Sequence, residues 1–257
     1  MSRTAPPPLV LAFAASDPTG GAGIQADILT LAARGCHPLS VMTGVTVQDT
    51  HGVRQMRALD ADLVAAQARA LLEELRVAAF KLGVLASAAN AAAIARILGE
   101  HPAVPVVVDP VLASGRGDAL SDDNLVAALR ADILPRATVL TPNSLEARRL
   151  AGLEDLAACP ARLIEMGCRH VLVTGTHEDT AEVENVLHGA GGVLRSHRWP
   201  RLPASYHGSG CTLASALAAA LAHGLPVEDA AYDAQAYTWK TLENGFRPGT
   251  GQFLPRR

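Results

Sequence analysis

The chain alternates short apolar runs with longer segments of helical periodicity. The apolar runs are rich in valine, and the segments between them carry apolar residues three and four positions apart. Strands of a parallel sheet covered on both faces have this nearly continuous hydrophobic character. The predicted strands are 9–15, 39–47, 79–85, 104–110, 137–142 and 170–175, and the predicted helices are 22–35, 60–75, 87–99, 121–134 and 143–152. The pattern predicts an α/β fold with a mostly parallel central sheet flanked by helices on both faces.

Local signals agree with these boundaries. Residues that cap helix N-termini precede three of the predicted helices, and glycine follows three of them at its preferred place past the last turn. The N-terminal candidates are Asp60, Ser87 and Ser121, and the C-terminal glycines are Gly35, Gly99 and Gly152. Residues 182–199 alternate in character about a Gly-Ala-Gly-Gly turn, which predicts an antiparallel hairpin. Two further helices are expected to close the chain.

Length, charge and cysteine usage narrow the class of protein. The 257 residues contain no repeat or low-complexity linker, so we expect one domain over 1–257. A net charge of −3 gives no broad basic surface, so neither nucleic acid nor a membrane is an expected partner, and a small molecule is. The four cysteines lack CxxC spacing, which predicts neither disulfides nor zinc and favours the reducing cytoplasm.

The loops after the strands carry the candidate chemistry, because ligands bind beyond the carboxyl ends of parallel strands. Residues 16–27 place Gly20, Gly21 and Gly23 before a helix, where they could admit a ligand or simply form a tight turn capped by Asp17. Gln48, after the second predicted strand, could face a ligand or be an ordinary surface residue.

Carboxylates follow two later strands. Asp109 ends the most hydrophobic strand and could orient a metal ion, or it could cap the next turn. Asn143 and Glu146 are three residues apart at a helix start, which puts both on one face. The same spacing describes a capping box, and from the residues alone that interpretation is favoured.

Residues 207–224, HGSGCTLASALAAALAHG, place two glycines and a cysteine before an alanine-rich helix. The amides of Gly208, Ser209, Gly210 and Cys211 and the positive end of the helix dipole would form an anion hole. Packing explains the alanines but not the glycines. We expect the helix start to lower the pKa of the Cys211 thiol, although a small buried cysteine is the alternative.

Six stretches together resemble the ribokinase superfamily, and within it the hydroxymethylpyrimidine kinase / phosphomethylpyrimidine kinase family of thiamine biosynthesis. They occur in family order and are SDPTGGAGIQAD, VTVQDTHGV, KLGVLAS, DPVLASGRGDAL, TPNSLEA and HGSGCTLASALAAAL. GTGQFL near the C-terminus is similar to the family's closing glycine segment, so the resemblance covers nearly the whole chain. It implies a ribokinase-like fold and a cytoplasmic homodimer.

The resemblance also implies a reaction and roles for residues. ATP would phosphorylate 4-amino-5-hydroxymethyl-2-methylpyrimidine and then its monophosphate, with Mg²⁺ required. Cys211 would assist deprotonation of the substrate hydroxyl, and the amides of Gly208, Ser209 and Gly210 would hold the transferring phosphate. The residues implied around the pyrimidine are Gln48, Asp27, Val84, Val111 and Gly21. The residues implied for ATP and its metal are Asn143, Glu146, Asp109, Arg116 and Thr174, with Glu146 and Asp109 for the metal itself.

The chain departs from the family pattern at the phosphate. A lysine common in the family is replaced by Thr174, and Gly115 stands where lysine or threonine is frequent, next to Arg116. We expect Arg116 to supply the missing cation, or ATP to bind less tightly. Two alternatives stay open: a pyridoxine or pyridoxal kinase of the same fold, disfavoured by Ser114 where some relatives carry a lid cysteine, and a pyrimidine-binding relative without catalysis.

Overall fold

A computed structural model describes residues 6–113 and 120–257. Within these residues one sheet contains nine strands in the order β3-β2-β1-β4-β5-β6-β7-β8-β9. The strands are β1 Leu9–Ser16, β2 His37–Asp49, β3 Gly52–Ala58, β4 Ala79–Leu82, β5 Val106–Val108, β6 Val139–Leu140, β7 His170–Thr174, β8 Glu182–Gly189 and β9 Gly192–Pro200. The strands from β2 to β7 in this order run parallel, and β3, β8 and β9 are antiparallel to their neighbours.

Eight α-helices connect or follow the strands in the described residues. They are α1 Gly23–Ala33, α2 Ala61–Glu74, α3 Ala88–Glu100, α4 Asp123–Ala128, α5 Ser144–Ala151, α6 Cys159–Glu165, α7 Ser209–Ala222 and α8 Val227–Glu243. A π turn at Leu129–Ile133 and a 3-10 turn at Leu134–Arg136 extend α4. All six predicted strands and all five predicted helices are therefore present, and the predicted fold class is confirmed.

Two helix boundaries differ from prediction. Asp122 caps α4 by accepting from the amide of Leu125, whereas the hydroxyl of Ser121 donates to the carbonyl oxygen of Leu112. Gly99 lies inside α3, which continues to Glu100. Asp60, Ser87 and Gly152 cap their helices as predicted, and Gly35 follows the last turn of α1 with a positive φ.

Two elements have no counterpart in the sequence prediction. β3 returns antiparallel along β2, so Gln48 lies inside the pairing of these strands opposite Val53 rather than beyond a strand end. α6 is a short helix with proline in its first turn. The predicted hairpin at 182–199 is formed by β8 and β9.

The core has two layers, one on each face of the sheet. One face is covered by α1, α7 and α8, whose contacts with the strands are largely through alanine. The other face is covered by α2 to α6 and contains the larger side chains, including Phe13 and Phe80. The alanines let α7 lie close to the sheet, which places its N-terminus beside the carboxyl ends of β1, β4 and β5. Among the described residues, no helix is both long and apolar enough to cross a bilayer.

Candidate active site

The start of α7 presents unpaired backbone amides at the carboxyl edge of the sheet. Gly208 is the residue before the helix and has φ of +80°, and Ser209, Gly210 and Cys211 form the first turn. The sequence analysis placed Gly208 to Cys211 before the helix. In the structure the helix begins at Ser209, so of these four residues only Gly208 precedes it. Among the described residues, the amides of this first turn have no hydrogen-bond partner. They point outward with the positive end of the helix dipole, as an anion-binding site requires.

Asp109 faces this turn from the end of β5. A Cβ atom added to Gly210 would lie 3.5 Å from Oδ1 and 3.6 Å from Oδ2 of Asp109, so the carboxylate and the helix start adjoin one another. Burial raises the pKa of Asp109 to about 6, against the opposing charge of Lys81. Oδ2 of Asp109 is buried and has no hydrogen-bond partner among the described residues. A carboxylate oxygen in this state lacks a cation or proton donor.

Glu146 and Asn143 form a capping box at the start of α5, as the residues alone suggested. Oε2 of Glu146 accepts from the amide of Asn143 at 3.0 Å, and Oε1 accepts from that of Leu112 at 3.3 Å. Burial and the negative charge of Asp109 together raise the pKa of Glu146 to about 8. The two acids repel one another across the site.

A divalent cation would relieve this repulsion. Asp109 offers an oxygen without a hydrogen-bond partner among the described residues. Each carboxylate oxygen of Glu146 accepts one hydrogen bond from a backbone amide and keeps a second lone pair. Oxygen donors of this kind suit Mg²⁺, which retains several of its own waters. Among the described residues, no group of three or more His, Cys, Asp or Glu side chains that could hold a metal ion comes together.

The environment of Cys211 corrects the expected thiol chemistry. Its side chain is 8% exposed, and burial raises the thiol pKa to about 12 instead of lowering it. The thiol lies close enough to Asp109 and to the backbone of Gly23 for each to influence its pKa. Desolvation by the surrounding core thus outweighs the helix dipole, and the resting cysteine is protonated at neutral pH.

A buried ion pair that the sequence analysis missed lies beneath the helix start. Nζ of Lys81 on β4 is 2.7 Å from Oδ1 of Asp27 on α1, and neither side chain is exposed. The hydroxyl of Ser215 on α7 donates to the same oxygen of Asp27 at 2.7 Å. Burial acts to lower the pKa of Lys81, but the negative charges of Asp27 and Asp109 and the hydrogen bond with Asp27 together raise it, so the lysine stays protonated.

The pairing with Lys81 defines the surroundings of Asp27. The carboxylate of Asp27 has no exposed surface and faces Lys81 and Ser215, and the contact with the pyrimidine that the resemblance implies stays a prediction. Asp27 therefore supports the helices that carry the site from below.

The loop after β1 is fastened to the loop before α7. His207 Nε2 lies 2.8 Å from Oδ2 of Asp17, which also accepts from the hydroxyl of Thr19 and the amide of Ala22. Burial acts to raise the pKa of Asp17, but the hydrogen bonds from His207 and Thr19 and the charge of His207 hold it well below its usual value. Asp17 therefore holds the turn after β1, which agrees with the alternative in which it caps a tight turn. Its partner His207 was not predicted.

The remaining predicted residues lie along the same edge of the sheet. Gln48 is half-buried near the end of β2, and its side chain has no partner among the described residues. Val84 and Val111 are half-buried after β4 and β5, and Gly21 is buried against His207 and Leu254. Thr174 ends β7, where it bridges to Asn143. Arg116, Gly115 and Ser114 lie outside the described residues.

Comparison with known proteins gives consistent matches over nearly the whole chain. The sequence model of the phosphomethylpyrimidine kinase family matches residues 17–255. A hydroxymethylpyrimidine/phosphomethylpyrimidine kinase of Streptomyces coelicolor is 40% identical over 253 residues, which is 95% of this chain and 92% of that protein. One from Rhizobium meliloti is 37% identical, covering 95% and 94%.

Solved structures share the fold. The ADP complex of Bacillus subtilis pyridoxal kinase superimposes with a TM-score of 0.88 at 26% identity, covering 97% of this chain and 96% of that one. The phosphomethylpyrimidine kinase of Clostridium difficile superimposes with a TM-score of 0.80 at 29% identity, covering 91% and 99%.

Proposed function

This chain belongs to the phosphomethylpyrimidine kinase family, and we propose that it transfers phosphoryl groups from ATP to 4-amino-5-hydroxymethyl-2-methylpyrimidine and then to its monophosphate. The resemblance drawn from six sequence motifs is thereby confirmed at the level of the family and of its kinase activity. The structural neighbours include pyridoxal kinases, but the relatives that match at about 40% identity carry the pyrimidine kinase name.

The observation that supports this proposal most directly is the free first turn of α7 beside Asp109. Phosphoryl transfer requires mainly positioning and neutralisation of charge on the transferring group. The amides of Ser209, Gly210 and Cys211 donate hydrogen bonds without adding a side chain that would block the phosphate. Gly208 supports this geometry because its positive φ turns the chain into the helix.

We assign Mg²⁺ to Asp109 and Glu146, with Asn143 holding Glu146 in place. When bound, the ion would supply positive charge to the phosphates of ATP. The capping box fixes the orientation of Glu146 before any ion arrives, since both carboxylate oxygens are held by backbone amides. Thr174, at the end of β7, and Arg116 are proposed to bind the nucleotide.

Cys211 is proposed to act in the first phosphorylation. The substrate hydroxyl must lose a proton as it attacks. Burial keeps the resting thiol neutral, so Cys211 can accept that proton only if its own proton leaves in the same step. The second phosphorylation starts from a phosphate oxygen that is already ionised. It therefore does not need this transfer.

The pyrimidine is proposed to bind between the ends of β1, β2, β4 and β5. The amide of Gln48 can donate and accept at once, which suits an aminopyrimidine edge. Val84 and Val111 would cover the ring, and the backbone of Gly21 would close one side. A homodimer, implied by the sequence resemblance, remains a separate proposal that the mass of the protein in solution tests.

Release of ADP, measured with each alcohol in turn, tests the proposed function. We expect turnover with the hydroxymethylpyrimidine and with its monophosphate, much less with pyridoxal, and none after Mg²⁺ is chelated. Preferential turnover of pyridoxal would assign the chain to the alternative kinase. Tight pyrimidine binding without ADP release would show a binding protein that has lost catalysis.

A further inference from the structure

The guanidinium group of Arg257 joins two loops that are distant in sequence. Nε donates to the hydroxyl of Thr212 at 3.0 Å, Nη1 to the carbonyl oxygen of Gly20 at 3.2 Å, and Nη2 to the carbonyl oxygens of Gly21 and, at 3.5 Å, Gly208. Three carbonyl groups and one hydroxyl are thus gathered around one cation. Together they connect the loop after β1 with the first turn of α7.

Holding the carbonyl of Gly208 sets the direction of the amide that follows it. A trans peptide is planar, so its carbonyl and its N–H point in opposite directions. The carbonyl oxygen of Gly208 accepts from the amide and the hydroxyl of Thr212 and from Arg257. The N–H of Ser209 must then point away from Arg257, toward the outer side where the anion hole opens.

The two loops meet without room for a side chain. A Cβ atom on Gly208 would collide with the carbonyl oxygen of Gly21 and would lie 2.9 Å from Nη2 of Arg257. The residue also has φ of +80°, which favours glycine. Arg257 therefore bonds to the loops at their point of closest approach, where a small shift of either backbone would move the first-turn amides.

The backbone that carries Arg257 is anchored independently of its side chain. The carbonyl of Phe253 accepts from the amide of His207 at 2.9 Å, Leu254 pairs with Phe246, and the amide of Arg256 donates to the carbonyl of Thr241. Burial lowers the pKa of Arg257, and the negative groups around it oppose that shift. An arginine remains charged in a protein, so its positive charge lies behind the anion hole.

We propose that Arg257 is a positioning residue of the phosphoryl-transfer site, which fixes the Gly208 peptide and the loop after β1 so that the amides of Ser209, Gly210 and Cys211 meet the transferring phosphate. This role rests on the proposed function for its chemistry. It differs from the expected role of Arg116, because the donors of Arg257 are directed at protein carbonyls and not at a ligand.

Arg256→Ala provides a matched control for Arg257→Ala. Arg256 is the adjacent residue and is exposed, with its guanidinium 5.5 Å above the ring of Phe246 and Nε donating to the carbonyl of Asn244. We expect Arg257→Ala to lower kcat of both phosphorylations by roughly 10- to 10²-fold, as a misplacement of about 1 Å would. Arg256→Ala should resemble wild type in all respects.

Restoration of the guanidinium separates positioning from a general loss of structure. Methylguanidinium added to Arg257→Ala should restore part of kcat. Arg257→Lys keeps the positive charge but lacks the planar fork of donors, so its kcat should exceed that of Arg257→Ala by less than tenfold. Unchanged kcat in Arg257→Ala, or an equal loss in Arg256→Ala, would overturn the proposal. Should Arg257→Ala not fold, Arg257→Lys and Arg257→Gln carry the same comparison.

Hydrogen exchange provides a readout that does not depend on the substrate. In Arg257→Ala the amides of residues 17–23 and 205–212 should exchange faster, while those of α3 and α5 keep the wild-type rate. Failure of the wild-type enzyme to phosphorylate either pyrimidine would reject the proposed function and leave this measurement decisive for Arg257. Unchanged exchange in both loops would show that Arg257 does not hold them.

Discussion

Gly210→Ala separates the chemistry of the anion hole from the stability of the fold. Gly210 is the second residue of α7 and is exposed. A methyl group there would be in ordinary van der Waals contact with Asp109, 3.5 Å from Oδ1, so no atom must move to admit it. Alanine is favoured over glycine in a helix by up to about 1 kcal/mol. We therefore expect the variant to be as stable as wild type or more stable.

Activity should change in the opposite direction. The methyl group would lie beside the first-turn amides, which are proposed to hold the transferring phosphate, and would displace the phosphate from them. Displacing the reacting atoms by about 1 Å costs roughly 10²-fold in rate, which is about 2.7 kcal/mol of transition-state stabilisation. Both phosphorylations use the same amides, so we expect both to slow by this factor.

The assay measures ADP release separately for the two substrates, together with the melting temperature. Gly208→Ala is the informative partner, because its Cβ would collide with the carbonyl of Gly21 and its φ is +80°. We expect that variant to lose at least about 1–2 kcal/mol of stability. If Gly210→Ala melts at or above the wild-type temperature and retains both rates, the transferring phosphate does not lie against Gly210, and the reasoning is refuted.

Three further substitutions test other parts of the site. Gln48→Leu should weaken pyrimidine binding by about 1–3 kcal/mol through unpaired polar groups and leave ATP binding unchanged, which calorimetry checks; an unaltered pyrimidine affinity removes Gln48 from the site. Cys211→Ala leaves every amide in place and should slow the first phosphorylation by roughly 10²-fold and the second far less. Equal slowing of both steps would show that Cys211 only packs against its neighbours and does not take part in proton transfer. Arg116→Ala should raise the KM for ATP, more strongly at low salt, and an unchanged KM would exclude Arg116 as the phosphate cation.

The outline of the fold could be predicted because each parallel strand is a continuous apolar run. β3 escaped prediction because its seven residues, GVRQMRA, alternate little and remain largely exposed at the sheet edge. The cap of α4 could not be assigned because Ser121, Asp122 and Asp123 are all residues that cap helices. Which one caps depended on the bond of Ser121 to Leu112, a tertiary contact.

The candidate site could be predicted as a set of loops, but the environment of each group could not. The helix start at Cys211 suggested a lowered thiol pKa, because a helix N-terminus favours the thiolate. The structure buries the thiol against Asp109, and desolvation raises the pKa to about 12. The local sequence predicts the helix start and therefore the effect of the helix dipole on the thiol pKa. The effect of burial depends on how closely α7 approaches the sheet, which the local sequence does not predict.

Lys81 shows why the support of the site was hidden. A single lysine in the run AFKLGVL has the appearance of one exposed strand position, and Asp27 and Ser215 are short polar residues within apolar helices. Burying any one alone would be costly, because a charge without a partner loses its hydration. Their cost is offset only when β4, α1 and α7 converge, with Lys81 and Asp27 2.7 Å apart and Ser215 donating to the same carboxylate. The ion pair therefore helps to fix where α7 begins relative to Asp109, and the position of the free amides depends on residues that never reach the surface.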